Sequence, residues 1–409
     1  MKFNCLIAQS GGPTSAINAS LAGIYSAASK NSNIDAIYGG INGIEGIIKG
    51  SLVDLKPIIG EFGNLALLKT TPSSFLGSCR YKLKSYKENP EDFKKIFDVF
   101  KKYNIKYFFY IGGNDSMDTI LKLKEYQEEN PQDVKLIGVP KTIDNDLMCV
   151  DHTPGFGSAA KYIATTIKEI AFDTAVYDMD SIVVAEIMGR NAGWLTLSAG
   201  LAEDCKGNCL ADLIYIPENP FDYDKLIEDI KKVQETKKQI VIAVSEGIRF
   251  ADGQLVSESE SKDVFGHGQL GGAAKTVSEY IKEKLGVKVR AVEINVLQRC
   301  AAHCLSLTDI NESFAIGEKA FETAANGLSG VMVTSTRKDS ENYGLELSYS
   351  DISLIANMEK TVPAEFMNEE KNGISEDGIE YLRPLILGDV NIPKKNGLPV
   401  YLSLKNFMD

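Results

Sequence analysis

The sequence predicts an α/β fold with mostly parallel sheets, and three observations support that prediction. Apolar strand-like runs alternate with amphipathic helical runs through most of the chain, the pattern of strands joined by crossover helices. Several strands end in loops rich in glycine or carboxylate that open a helix, the place where open α/β sheets bind ligands. At 409 residues, with 44% hydrophobic and 24% charged side chains, the composition is that of a globular protein. Such a length suggests two or three domains with sizeable cores.

The first strand, Phe3–Ala8, runs into Ser10-Gly11-Gly12-Pro13-Thr14-Ser15 and an alanine-rich helix over 16–30. Gly39 to Gly50 reads as a glycine-rich loop, and Leu65–Arg80 is punctuated by Thr70-Thr71-Pro72-Ser73-Ser74. Over Pro90–Tyr103, Phe93, Ile96, Phe97 and Phe100 recur at helical spacing, which marks a core face rather than a base-stacking surface. Tyr107–Ile111 reads as a buried strand, followed by Gly112-Gly113-Asn114-Asp115-Ser116 and a helical run from Met117. The β-like run Val134–Val139 ends at Pro140 and opens the loop Lys141-Thr142-Ile143-Asp144-Asn145-Asp146.

Beyond His152, a loop over Pro154–Ala160 enters a helix through Ile170. Strand Ile182–Ile187 delivers Met188-Gly189-Arg190, and the helix after it carries the single tryptophan, Trp194. Strand Leu213–Ile216, helix Tyr223–Val233 and strand Ile240–Val244 follow, so that Glu246 stands just past the carboxyl end of a strand. Gly266–Gly272 enters another helix, and strand Val287–Val296 leads to Leu297-Gln298-Arg299. No internal repeat, low-complexity block or Pro/Ser-rich linker interrupts this order.

Glycine pairs at the carboxyl ends of strands let backbone N–H groups approach a phosphate closely. Two carboxylates two residues apart, beside a lysine and a threonine, suit phosphoryl transfer. Asp144 can take a proton from an alcohol, Asp146 can hold a divalent metal, and Lys141 can face an anionic phosphate. The same residue types also form ordinary solvated turns. A net charge of −12 argues against nucleic acid or an anionic membrane as partner. An acidic chain with anionic substrates must concentrate cations locally, which singles out Arg80, Lys141, Arg190, Arg290 and Arg299. There is no signal-like apolar region and no run of membrane-span length. Seven scattered cysteines argue for reduced thiols and a cytoplasmic protein. Cys205/Cys209 and Cys300/Cys304, with His303, have permissive zinc spacing but no second motif to support it.

These motifs together resemble the phosphofructokinases. Ser10-Gly11-Gly12, Gly77-Ser78-Cys79-Arg80, Gly112-Gly113-Asn114-Asp115-Ser116, the Pro140–Asp146 loop, Met188-Gly189-Arg190, Ser245-Glu246-Gly247 and Leu297-Gln298-Arg299 occur in that family's order. The match runs from Ser10 to about Asp309. It implies two doubly wound three-layer lobes with the active site between them. The expected lobes are 1–157 plus about 298–345, which binds the donor, and about 158–297 plus 346–409, which binds the sugar phosphate. The implied reaction is reversible transfer of a phosphoryl group to the 1-hydroxyl of fructose 6-phosphate, with Mg²⁺ and a homodimeric or homotetrameric enzyme. By that resemblance Asp144 is the base, while Arg80 and Arg190 steady the transferring phosphoryl. Asp146 is a metal-side carboxylate, joined by Asn114 or Asp115. Gly11, Gly12, Arg80, Gly113, Asp115 and Lys141 bind the donor. Thr142, Asp144, Met188, Gly189, Arg190, Glu246 and Arg299 bind the sugar phosphate, and Arg290 reaches a neighbouring subunit's sugar.

ATP users of that family typically have glycine where this chain has Asp115 and Lys141. A carboxylate at 115 crowds and repels a nucleotide's α-phosphate, and a lysine at 141 suits compact pyrophosphate, so pyrophosphate is the expected donor. Three positions depart from the pattern. Asn114 stands for a metal-binding aspartate, Ser181 for a second cross-subunit arginine, and Val296 for a histidine or tyrosine that touches the sugar. The competing readings are an ATP-dependent sugar kinase, a dinucleotide or lipid kinase, and a non-catalytic regulatory subunit. The last would be expected to lose the base. The first helix presents Ala22 and Ser26 where allosteric relatives carry effector-binding arginines, with no basic residue between Ser10 and Ala28.

Overall fold

The computed structural model describes residues 2–257, 272–340 and 342–407. Gly266–Gly271 of the glycine-rich piece therefore lie outside the described residues. In chain order the main strands are β1 (Phe3–Gln9), β2 (Ile34–Gly40), β3 (Leu52–Asp54), β4 (Ile105–Gly112), β5 (Lys135–Pro140) and β6 (Ser181–Ile187). They are followed by β7 (Leu213–Tyr215), β8 (Gln239–Ser245), β9 (Lys288–Glu293), β10 (Val331–Arg337) and β11 (Leu345–Asp351). Seven strands form one sheet in the order β11-β10-β5-β4-β1-β2-β3, and four form a second in the order β7-β8-β6-β9.

The first sheet is parallel except at its edges, where β3 and β11 run antiparallel to their neighbours. Its central strands are near-continuous apolar runs because helices cover both faces. Phe108, Phe109, Tyr110 and Ile111 of β4 are buried, two facing the core around Ile17 and Phe321 and two the core around Phe93 and Met117. The register pairs Ala8 with Tyr110 and Tyr110 with Gly138, so β1, β4 and β5 end side by side. The second sheet is wholly parallel, and pairing of Ile187 with Ser245 brings Met188 and Glu246 out next to each other.

The predicted strands and long helices are present with ends shifted by a few residues, and three local expectations change. The Gly39–Gly50 stretch contains a helix, Gly43–Ile48, because Ile44 and Ile47 bury against the core of Leu6, Phe93 and Phe108. Strand β9 stops at Glu293, short of the expected Val296, and Val296 is exposed. The tryptophan helix lasts one turn, Trp194–Leu197, before tightening into a 3₁₀ turn over Ser198–Leu201.

The Ile17–Lys30 helix packs along the Leu307–Ala325 helix of the same chain. Ala22 and Ser26 are buried there, and Ser26 Oγ donates to Glu318 Oε1 at 3.3 Å. The C-terminal region crosses between the two halves. β11 is hairpin-paired to β10 of the first sheet, whereas Met367, Leu382 and Leu385 join Phe156 and Trp194 in the core of the second. A boundary near 345 would cut that hairpin. We propose instead that the donor lobe comprises 1–157 plus about 298–351, with the sugar-phosphate lobe holding about 158–297 and the chain beyond 351.

Candidate active site

Loops from the ends of both sheets line one open cleft of about 800 Å³. From the first sheet come Gly11, Gly12, Arg80, Gly113, Asn114, Asp115, Lys141, Thr142, Asp144 and Asp146. From the second come Met188, Arg190, Glu246 and Arg299, the last on the one-turn helix Leu297–Cys300 that follows β9. Nearly all of the expected site residues are therefore brought together.

Lys141 lies on the first-sheet side of the cleft. It is 2% exposed, and its Nζ donates to the Gly12 carbonyl at 2.6 Å. Burial lowers its pKa to about 8, with Arg299 pushing the same way and Asp144 and Asp146 opposing. The Gly113 junction opens the Asn114–Glu129 helix, so Asp115 lies in that helix's first turn, exposed to the cleft. A helix N-terminus favours anions, and a fixed carboxylate there competes with any ligand phosphate.

The Thr142–Asp146 loop is held by its own hydrogen bonds. Thr142 Oγ1 accepts from the Asp144 N–H at 3.1 Å, and Asn145 takes a left-handed φ of 54°, which asparagine tolerates. Asn145 is buried and turns away from the cleft, leaving Asp144 and Asp146 on its wall. Burial raises both carboxyls above the usual range. Glu246 adds to the shift at Asp144, while Asp144 adds to it at Asp146. A raised carboxyl is a stronger base once ionised, which suits proton removal from an alcohol.

On the second-sheet side, the Met188 N–H donates to Gln298 Oε1 at 3.2 Å, and the Gly189 N–H donates to Glu246 Oε1 at 3.3 Å. Gly189 sits at φ +142°, and a side chain there would meet the Ala192 carbonyl at 2.6 Å. A Cβ at Gly247 would lie 1.9 Å from the Arg190 carbonyl, so both glycines are needed for these two loops to cross. Arg249 Nη2 donates to that same Arg190 carbonyl at 2.9 Å, fixing the Met-Gly-Arg turn. The Arg299 Nε is buried with no hydrogen-bond partner among the described residues.

Of the expected residues, Asn114 has its amide already hydrogen-bonded and Arg290 stands apart. Asn114 lines the cleft, but its amide is engaged elsewhere. Its Oδ1 accepts from the Asn357 N–H at 2.6 Å and its Nδ2 donates to the Met358 carbonyl at 2.5 Å. Arg290 is outside the cleft. It is exposed on the edge strand β9, with Nη1 3.3 Å from Asp173 Oδ2. It lines a surface recess with Asp173, Thr174 and Val183.

Other cleft residues carried no local signal in the sequence. Glu359 and Asn191 face the cleft, and Asn191 Nδ2 donates to both Glu359 oxygens at 3.0 and 3.1 Å. Behind the Asp144–Asp146 loop lies a buried polar layer. His152 bridges Asp151 and Glu312 at 2.8 Å each, and these bonds outweigh burial to lift it to about 9. Arg337 bonds Asp151 at 3.0 Å and lies over the rings of Tyr343 and Tyr381.

Asp146 Oδ1 is buried with no hydrogen-bond partner among the described residues, a costly arrangement that a cation would satisfy. No group of three or more metal-ligating side chains occurs among the described residues.

Comparison with known proteins bears on this geometry. The phosphofructokinase family model matches residues 4–323. A pyrophosphate–fructose 6-phosphate 1-phosphotransferase of Methylococcus capsulatus is 41% identical over 406 residues, 98% of this chain and 96% of that protein. One from Halomonas elongata is 40% identical over 401 residues, covering 97% and 95%. The crystal structure of a pyrophosphate-dependent phosphofructokinase from Nitrosospira multiformis superposes with a TM-score of 0.87 at 38% identity, covering 98% and 96%.

Proposed function

Because this chain belongs to the phosphofructokinase family, we propose that it transfers a phosphoryl group reversibly from inorganic pyrophosphate to the 1-hydroxyl of fructose 6-phosphate. The products are fructose 1,6-bisphosphate and phosphate, a step of glycolysis or gluconeogenesis in the cytoplasm. The observation that carries the donor is Lys141, a buried cation between the Gly11-Gly12 and Gly113 loops. It offers one compact counter-charge where pyrophosphate is dense, while Asp115 repels a longer nucleotide at the helix N-terminus.

In this reading Asp144 accepts the proton of the 1-hydroxyl as that oxygen attacks the terminal phosphorus of pyrophosphate, and the P–O bond to the leaving phosphate breaks. Arg80 and Arg190, from opposite sides of the cleft, steady charge on the transferring group. Met188, Gly189, Glu246 and Arg299 orient the sugar phosphate, with Thr142 setting the loop. Asp146 would hold Mg²⁺ through its buried Oδ1, with Asp115 the other acidic candidate and Asn114 holding the 357–358 backbone. The ion would neutralise oxygens of the donor. Release of fructose 1,6-bisphosphate from the purified protein with Mg²⁺, fructose 6-phosphate and pyrophosphate tests the reaction.

Arg290 is proposed to complete the sugar site of a second subunit in a homodimer or homotetramer. Its distance from its own cleft supports this, as does the exposed apolar surface beside it: Phe172, Val176 and Tyr177 are each more than 60% exposed. Arg290→Ala is expected to raise KM for fructose 6-phosphate by roughly tenfold or more, the cost of one charge-assisted bond, with KM for pyrophosphate unchanged. The intramolecular pair with Asp173 is too exposed to matter at that scale. A fully active monomer at the assay concentration would contradict the assignment.

The fructose 6-phosphate saturation curve is expected to be hyperbolic and insensitive to ADP. The first helix has no basic residue before Lys30, which pairs with Glu318 at 3.6 Å, and its Ala22/Ser26 face is covered by the Leu307–Ala325 helix. A sigmoidal curve relieved by ADP would contradict this.

A further inference from the structure

We propose that Lys360 is a positioning residue for the reaction, holding the Asp144-Asn145-Asp146 loop in register with the acceptor-side loop that carries Met188–Asn191. The inference rests on the reading of Asp144 as base, and extends it to a segment that no sequence motif marks.

Lys360 lies on the stretch 357–362, which runs between the two sheets. Its Nζ donates to Asn145 Oδ1 at 3.2 Å, to the Val150 carbonyl at 3.1 Å and to the Asp151 carbonyl at 2.7 Å. All three ammonium donors are thereby used. The Lys360 N–H donates to the Asp146 carbonyl at 2.8 Å, so main chain and side chain grip the loop at adjacent residues. Tyr381 reinforces the grip: Asn145 Nδ2 donates to its Oη at 3.1 Å, and that Oη donates to the Asp151 carbonyl at 2.6 Å.

The same stretch holds the acceptor side. The Lys360 carbonyl accepts from Trp194 Nε1 at 3.0 Å, and its ammonium lies 5.1 Å from the Trp194 ring centroid. Glu359 takes both bonds from Asn191, next to Arg190. The Val362 N–H shares Glu218 with the Gly193 N–H, at 2.9 and 3.0 Å. Glu359, Lys360 and Val362 thus fasten the base loop to the loop that would present the hydroxyl. A base must sit within hydrogen-bond reach of the proton it takes, and misplacement by about 1 Å can cost roughly a hundredfold in rate. Loss of this anchor should therefore appear in kcat.

The test compares Lys360→Met, Asn145→Ala and the double variant by steady-state kinetics with fructose 6-phosphate and pyrophosphate, on protein shown folded by circular dichroism. Lys360→Met is expected to lower kcat by roughly 10–100-fold while both KM values stay within about threefold. A merely structural lysine would lower the folded fraction and leave kcat per folded molecule intact. If Lys360 works through Asn145, the double variant should be no slower than the slower single variant. Lys360→Gln, which keeps a donor on a shorter stem, should retain part of the rate, and it carries the test with Asn145→Ala if the methionine variant does not fold. A kcat within twofold of wild type, a loss confined to KM, or losses that multiply in the double variant would overturn the proposal. Failure of the pyrophosphate reading would show separately as an inactive wild type. The ratio of variant to wild type with the donor that the wild type does use would still decide the role of Lys360.

Discussion

Asp144→Ala should lower kcat by roughly 10²–10⁴-fold, the usual cost of removing a general base, with pyrophosphate affinity largely kept. The carboxylate stands on the cleft wall with its pKa raised by burial and by Glu246, and its loop is fixed on the far side by Asn145. Removing it takes one negative charge from beside Lys141 and Asp146, so nothing about the change should weaken an anionic donor. Steady-state kinetics with equilibrium pyrophosphate binding separates the two effects. A variant within tenfold of wild-type turnover would remove Asp144 from the chemistry.

The second large effect concerns the donor. Two unit charges about 4 Å apart repel by about 4 kcal/mol near a protein surface and by about 1 kcal/mol in water. Asp115 is exposed, so the lower end applies, and Asp115→Gly alone should raise kcat/KM for ATP by roughly tenfold at most. Lys141 is different because it is buried and makes a charge-assisted bond. Lys141→Gly should cost pyrophosphate roughly a hundredfold in kcat/KM, as expected when a desolvated cation is lost from an anion site. The double variant should then prefer ATP. If neither replacement moves the ratio of kcat/KM for the two donors, these residues do not set donor choice.

Much of this site was legible because its chemistry is local in the chain. Ser10-Gly11-Gly12, Gly112–Ser116 and Lys141–Asp146 each follow a strand, and parallel pairing of β1, β4 and β5 obliges them to meet. The same holds for Met188 and Glu246 at the ends of β6 and β8. What escaped was long-range. Glu359 and Lys360 act on Asn191 and Asn145, 168 and 215 residues away, and no spacing rule links them. Asn145 reads in sequence as a turn former, and only the fold shows its amide anchored by Lys360 and Tyr381. The helix at Gly43–Ile48 was hidden by its glycines, although Ile44 and Ile47 already carried the buried spacing. Arg290 advertised phosphate chemistry, but strand β9 sets it on an edge away from its own cleft.

The most direct test of the account is a parallel assay of the wild-type protein with Mg²⁺ and fructose 6-phosphate, given pyrophosphate in one arm and ATP in the other. The formation of fructose 1,6-bisphosphate is followed in both. The account predicts rapid product formation with pyrophosphate, reversal on adding phosphate to the product, and a kcat/KM for ATP lower by orders of magnitude. Equal or better use of ATP would contradict it.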